Sequence, residues 1–267
     1  GVNATNCMVT IEDATLSRST DAAVKLTVDA AGNATIRRSS ITGNTNGVMI
    51  SGGPATVVLD ESVISDSDDY GVLWNVGGTG RLFVHRCLIS FNARGGITAS
   101  GVGFDITNNL VFRNGDNGTS ANGGIRVNSI GAVGPANLVA YNTVAFNRTP
   151  LGSGSAGGIM CAQTLDNARN NIVYNNFSGA SNTAGDAQTV GACDFTGSVI
   201  RNGDGTNELH FRSITMPFDF HLADDLGPAS GAAVLPTPPT VPETDVDFDG
   251  EPRPAIAPDV GADEFYP

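Results

Sequence analysis

Lysine is almost missing from this 267-residue chain: Lys25 stands alone, and 14 Lys+Arg face 27 Asp+Glu for a formal net charge of −13. A phosphate backbone would be repelled by such a surface, so nucleic acid is not an expected partner. There is no apolar run of about 18 residues, and hence no transmembrane segment is expected. The first residues also lack the basic-then-apolar pattern of a signal peptide, so an exported protein would already have lost its signal. Four cysteines, Cys7, Cys87, Cys161 and Cys193, show no C-x-x-C spacing, which argues against a zinc site built on them. Cys161 and Cys193 read equally as a disulfide in an oxidising compartment or as two buried thiols. The acidity suits an extracellular protein that must stay soluble or hold divalent cations.

What the chain does contain is a repeat. A six-residue unit runs Ala14 to Ser19, Ser39 to Asn44, Ser62 to Ser67, Cys87 to Asn92, Asn109 to Asn114, Asn142 to Asn147 and Asn171 to Asn176. Its last positions are spaced by 25, 23, 25, 22, 33 and 29 residues, the period of a solenoid rung with loop insertions. The third position is always apolar: Leu16, Ile41, Ile64, Ile89, Val111, Val144, Val173. Five residues upstream of each runs a second column, Ile11, Ile36, Leu59, Val84, Ile106, Val139 and Ala168. After the unit comes a third, Val24, Val48, Val72, Ile97, Ile125 and Ile159. Each stretch is short, β-branched and alternating, which predicts three brief strands per rung and no helix. Stacked rungs would pair every backbone group with the rung above and below, and parallel crossovers of this kind coil right-handed. The fold class expected is therefore all-β: one right-handed parallel β-helix of about seven to nine rungs over residues 1–222. A Pro-rich return and C-terminal cap, 223–267, would pack on the same domain.

Small residues mark the corners. Gly95-Gly96, Gly123-Gly124 and Gly157-Gly158 precede the third column, where positive φ or a close-packed bend favours glycine. Asn44, Asn92, Asn114, Asn147 and Asn176 recur at another corner, where asparagine would enter the left-handed region and bond to the asparagine of the next rung.

The Gly-Gly-Ile repeats, with Ile89-Ser90-Phe91-Asn92 and Val111-Phe112-Arg113-Asn114, resemble polymorphic outer-membrane protein and autotransporter-passenger β-helices. The tail is more specific. Phe218-Asp219-Phe220-His221-Leu222, then Asp245-Val246-Asp247-Phe248-Asp249-Gly250-Glu251-Pro252-Arg253-Pro254 and Asp259-Val260-Gly261-Ala262-Asp263-Glu264-Phe265, are similar to the closing segment of bacterial "choice-of-anchor Q" β-helix proteins. It departs from them at Leu226-Gly227-Pro228-Ala229, where the group has a more polar stretch. The resemblance implies an exported protein, secreted or held at the cell surface, with its tether not expected within these residues.

Two outward columns carry charge: Glu12, Arg37, Asp60, His85 beside Asp13, Arg38, Glu61, Arg86. Opposite charges one rung apart form a ladder that sets register. The alternative is a carbohydrate or cation cleft at Asp60, Glu61, His85 and Arg86, which together supply acids, an imidazole and a bidentate donor. Those four are the candidate ligand-binding residues and, in an enzyme, the candidate catalytic ones. Against an enzyme, the Gly-His-Gly and Arg-Ile-Lys signatures of β-helix pectinolytic hydrolases are absent, and Lys25 has only Asp21 and Asp29 as nearby acids.

Asp245-x-Asp247-x-Asp249-Gly250 presents alternate carboxylates on a turn, as Ca²⁺ requires. A full loop would need glutamate where Ile256 stands, so the expected calcium set is Asp245, Asp247 and Asp249 completed by Asp259, Asp263 or Glu264. No organic cofactor is expected. Met49, Leu73 and Met160 share an outward apolar column that the Phe177 to Val199 insertion or the Pro236 to Pro242 segment would cover, with a partner or apolar ligand as the alternative. Phe91, Phe112, Phe146 and Tyr174 read as packing near the asparagine corner, and Trp74 as core. The expected function is structural, adhesive or glycan-binding at a surface, towards a glycan, a protein or copies of the chain itself. The competing expectation is a polysaccharide lyase or glycoside hydrolase.

Overall fold

The computed structural model describes residues 1–28, 32–53, 55–74, 80–116, 122–128, 137–151, 155–165, 167–179, 188–203, 206–235 and 245–266. Their strands fall into three parallel stacks. The first sheet has eight strands, from Val2–Thr5 to Thr189–Cys193; the second has six, from Val9–Glu12 to Leu138–Ala140; the third has eight, from Thr15–Ser17 to Val199–Arg201. Neighbours in each stack come from consecutive rungs, so the chain visits the three sheets in turn and coils. Among the described residues, no helix is long and apolar enough to cross a membrane.

Register follows the apolar columns. In the third sheet Leu16, Ile41, Ile64, Ile89, Val111, Val144 and Val173 pair in succession and continue to Ile200. In the second, Ile11, Ile36, Leu59, Val84, Ile106 and Val139 do the same. Val24, Val48, Val72, Ile97, Ile125 and Ile159 align in the first, with Val2 before them. Nearly all are buried, with Trp74, in one continuous interior. Each such side chain contributes about 1.5–3 kcal/mol on burial. A slip of one residue would turn a whole column outward, which is why the register is so uniform.

The corners correct the sequence reading in two ways. Left-handed backbone falls one residue before the last position of the repeat unit, which is asparagine in five rungs and serine in two, at Arg18, Gly43, Asp66, Phe91, Arg113, Phe146 and Asn175, and again between the second and third sheets at Asp13, Arg38, Glu61, Arg86, Asn108, Tyr141 and Asn170. The asparagines themselves are inside and saturated. Asn114 Oδ1 accepts from the backbone N–H (3.0 Å) and Nδ2 (2.9 Å) of Asn92, while its Nδ2 donates to the carbonyls of Ile89 and Phe112 and to Asn147 Oδ1. A second ladder, Asn109, Asn142 and Asn171, serves the other corner in the same way. As for the glycines, Gly96 and Gly124 do not have positive φ; a Cβ there would come within 2.8 Å and 2.5 Å of the next rung's carbonyl oxygen, so close approach is what requires them.

Beyond Arg201 the parallel stacks end. Phe211–Ser213 and Asp219–Leu222 pair antiparallel, so residue 222, the expected end of the rungs, closes this pair. The pair and the tail cover the outer face of the third sheet, where Leu110, Phe112, Ala145, Ile172 and Tyr174 meet Leu209, Phe211, Phe220, Val260 and Ala262 in a second core. Ring centroids of Phe112 and Phe220 are 5.0 Å apart, and those of Phe211 and Phe220 5.3 Å. Phe112 and Tyr174 are thus packing residues, whereas Phe91 is 40% exposed. The tail also binds the left-handed corner: Asn108 Nδ2 donates to the Val246 carbonyl (2.9 Å), and Asn170 Nδ2 to that of Val234 (2.8 Å).

The apolar column on the first sheet is shorter than expected. Met49 and Leu73 are adjacent and half-buried, but Thr98 and Arg126 separate them from Met160. Pro236 to Pro242, one of its expected covers, lies outside the described residues, as does 180–187 of the other. Cys161 and Cys193 form a disulfide, with Cα atoms 5.7 Å apart.

Candidate functional site

Alternation along the second sheet puts two adjacent columns on its outer face: Val58, Phe83 and Asp105, and beside them Arg37, Asp60, His85 and Thr107. The returning tail passes over the neighbouring corner. Between them lies a pocket of about 450 Å³, lined by Arg37, Val58, Asp60, Phe83, His85, Arg86 and Val246. Three of the four residues expected to form a site, Asp60, His85 and Arg86, line it. Glu61 does not, but accepts an ion pair from Arg86 at 2.8 Å.

Asp60 is the hub. Arg37 donates to its Oδ2 from Nε (3.1 Å) and Nη2 (2.8 Å), and Arg86 Nη2 reaches Oδ1 at 3.0 Å. Burial pushes this carboxyl up, but the two guanidiniums outweigh it and hold the group below the usual carboxylate range. In the unfolded chain the same carboxyl titrates near about 3.9. Its stabilisation is therefore complete above that value and is lost as the pH falls through the lower folded one. Wild-type protein should lose more stability than Asp60→Asn on going below about pH 4, a difference measurable as diverging urea midpoints in an acid titration.

His85 Nε2 sits 3.5 Å from Asp105 Oδ1, in an alignment where neither atom makes a hydrogen bond. The His85 and Asp105 side chains are only 10% and 3% exposed. Phe83 meets the imidazole edge-on at 5.8 Å and carries the Arg81 guanidinium on its face. The nearby Cys87 thiol is no nucleophile: burial pushes its pKa up to about 12. Arg37, part of the charge column but not of the expected site, lines the pocket, as does Phe83, and Asp105 joins them through His85. Counting two residues back from His85 and then one rung on would have found the latter two.

Among the described residues, Asp245, Asp247, Asp249 and Asp259 do not converge on one point, and of the alternatives for the fourth ligand Asp263 comes near Asp249 alone of the run. Asp247 Oδ1 accepts the Glu251 N–H (2.9 Å), and Asp259 accepts from the N–H groups of Gly231 and Phe265, so both are engaged by backbone donors, the first within a turn and the second between separate stretches of the tail. The Asp245 carbonyl accepts from the Arg253 N–H. Asp249 turns instead to His221, whose Nε2 is 3.1 Å from its Oδ2, with Asp263 alongside. Burial holds the Asp263 carboxyl up, at about 7. Glu264 is likewise held up by burial, and pairs with Arg253 in the middle of the tail.

Comparison with known proteins bears on the fold. The structure resembles the crystal structure of pectate lyase Pel9A with a TM-score of 0.53 and 16% sequence identity, over 94% of this chain and 70% of that one. At that identity the likeness is one of fold. No curated protein matches the sequence. The family model described as the right handed beta helix region matches residues 1–210. With most of its length matched and its columns stacked rung upon rung, the chain belongs to the right-handed β-helix family.

Proposed function

We propose that this chain is an extracellular or cell-surface β-helix that binds a glycan in the pocket on its second sheet without cleaving it. The observation that carries this reading is the pairing of surfaces in one depression: Arg37, Asp60, His85 and Arg86 offer donors and acceptors beside an apolar shelf of Val58, Phe83 and Val246. A pyranose has the matching character, hydroxyls around its rim and C–H groups on its faces, and aromatic rings such as Phe83 pack against the latter. Asp60, gripped by two guanidiniums, keeps its charge and serves to hold geometry rather than to exchange protons. The Cys161–Cys193 disulfide supports an oxidising compartment.

Cleavage is the second reading, favoured by His85 Nε2 and Asp105 Oδ1, two buried atoms without a hydrogen-bond partner, of which the first belongs to a residue of the pocket wall. An array of plant, microbial and animal glycans tests the proposal. Retention on a defined glycan is expected, weakened about tenfold or more by Phe83→Ala; retention on none, or retention indifferent to Phe83→Ala, contradicts it.

A further inference from the structure

We propose that His221, Asp249 and Asp263 form a binding site for one divalent transition-metal ion, of which zinc is the representative, and that the ion clamps the C-terminal segment closed. One ligand atom from each of the three residues lies within 4.8 Å of the others. They come from three separate pieces of chain: the Asp219–Leu222 strand, the turn at residues 245–250 and the last residues of the tail. An ion about 2 Å from each atom would need only small side-chain adjustments to bind all three.

The ligand types select the ion. One imidazole nitrogen with two carboxylates is a borderline-soft set that suits zinc and its neighbours, whereas calcium prefers six or more oxygens. The aspartate run therefore contributes Asp249 to a site of a different kind from the calcium loop that its spacing suggests. A second observation lies on the far side of the same imidazole: the other ring nitrogen, His221 Nδ1, is hydrogen-bonded to Asp219, which is outside the triad. A carboxylate there fixes the tautomer and aims Nε2 outward, as it does behind metal-bound histidines. Asp263 is anchored too, its Oδ2 accepting the Leu222 N–H at 2.9 Å. Asp249 is the exposed member, with 48% of its side chain open to solvent, which leaves a way in for the ion and a coordination position for water.

The test is titration of the full chain with zinc chloride by calorimetry, paired with thermal unfolding in zinc, in calcium and in chelator. One zinc per chain is expected to depend on this site, with a rise in the melting temperature that calcium does not reproduce. Asp219→Asn should weaken binding by about 10–100-fold. Asp249→Asn, which alters an exposed side chain and leaves folding intact, should abolish it. Absence of zinc binding, zinc binding unchanged in Asp249→Asn, or an equal thermal shift with calcium would overturn the assignment. Glycan retention by the Asp249→Asn protein separates this result from the fate of the pocket on the second sheet.

Discussion

Asn147→Ala is expected to destabilise the coil by about 3–5 kcal/mol. Asn147 is fully buried, and its Oδ1 accepts both the backbone N–H (3.0 Å) and the side-chain Nδ2 (2.9 Å) of Asn114. Its own Nδ2 donates to the Val111 carbonyl and to Asn176 Oδ1. Alanine strips the Asn114 N–H of its acceptor where water cannot reach it, and takes one bond each from Asn114 Nδ2, the Val111 carbonyl and Asn176 Oδ1, at about 1–3 kcal/mol for each group left short, partly relieved by the bonds that Asn114 Nδ2 and Asn176 Oδ1 keep. Asn44→Ala, at a rung flanked by Ser19 and Ser67 and so outside the asparagine ladder that begins at Asn92, removes fewer bonds and should cost markedly less. Denaturant unfolding of the two variants checks the order as well as the size. Equal losses would mean the asparagines act singly and not as a column.

Arg253→Met should have an effect of similar size on a different part of the molecule. The Arg253 side chain is 3% exposed, pairs with an equally buried Glu264, and donates to the carbonyls of Gly261 (2.8 Å) and Ala262 (3.0 Å) and to Asn108 Oδ1 (3.0 Å). Its guanidinium also lies 4.3 Å from the centre of the Tyr141 ring. Methionine preserves much of the volume but strands a buried carboxylate, a loss of about 3–5 kcal/mol. Because a solenoid is held together by neighbour contacts, the damage should stay in the tail. Limited proteolysis is expected to cut the 245–266 segment while the rungs to Arg201 persist. Arg253→Met, Glu264→Gln should recover part of the loss, since the uncompensated charge is gone.

The coil was legible because each rung repeats the same solution. Ile41, Ile64, Ile89 and Val111 could be aligned by eye, and a period-two pattern has only one way to face inward. The tail was not. Its partners are far away in sequence: Arg253 meets Asn108 and Tyr141, and Phe220 meets Phe112, contacts that no local spacing records. The same holds for the site. Asp60, His85 and Arg86 were visible as a charged column, whereas the apolar edge made by Val246 depends on where the tail lands. The aspartate run shows the limit most clearly. Its spacing matches a calcium loop, yet the turn it forms directs Asp247 to backbone N–H groups and Asp249 to His221, a residue 28 positions earlier.

Whether the pocket holds a sugar or breaks it is decided by following the sugar. The glycan retained on the array should be incubated with the protein, with and without chelator, and its chain length measured beside that of a protein-free control. Recovery of full-length glycan from a saturable complex that Phe83→Ala weakens is the expected result. Shortened chains, produced by the wild-type protein and not by His85→Ala, would contradict a binding role and make the His85–Asp105 pair the seat of catalysis.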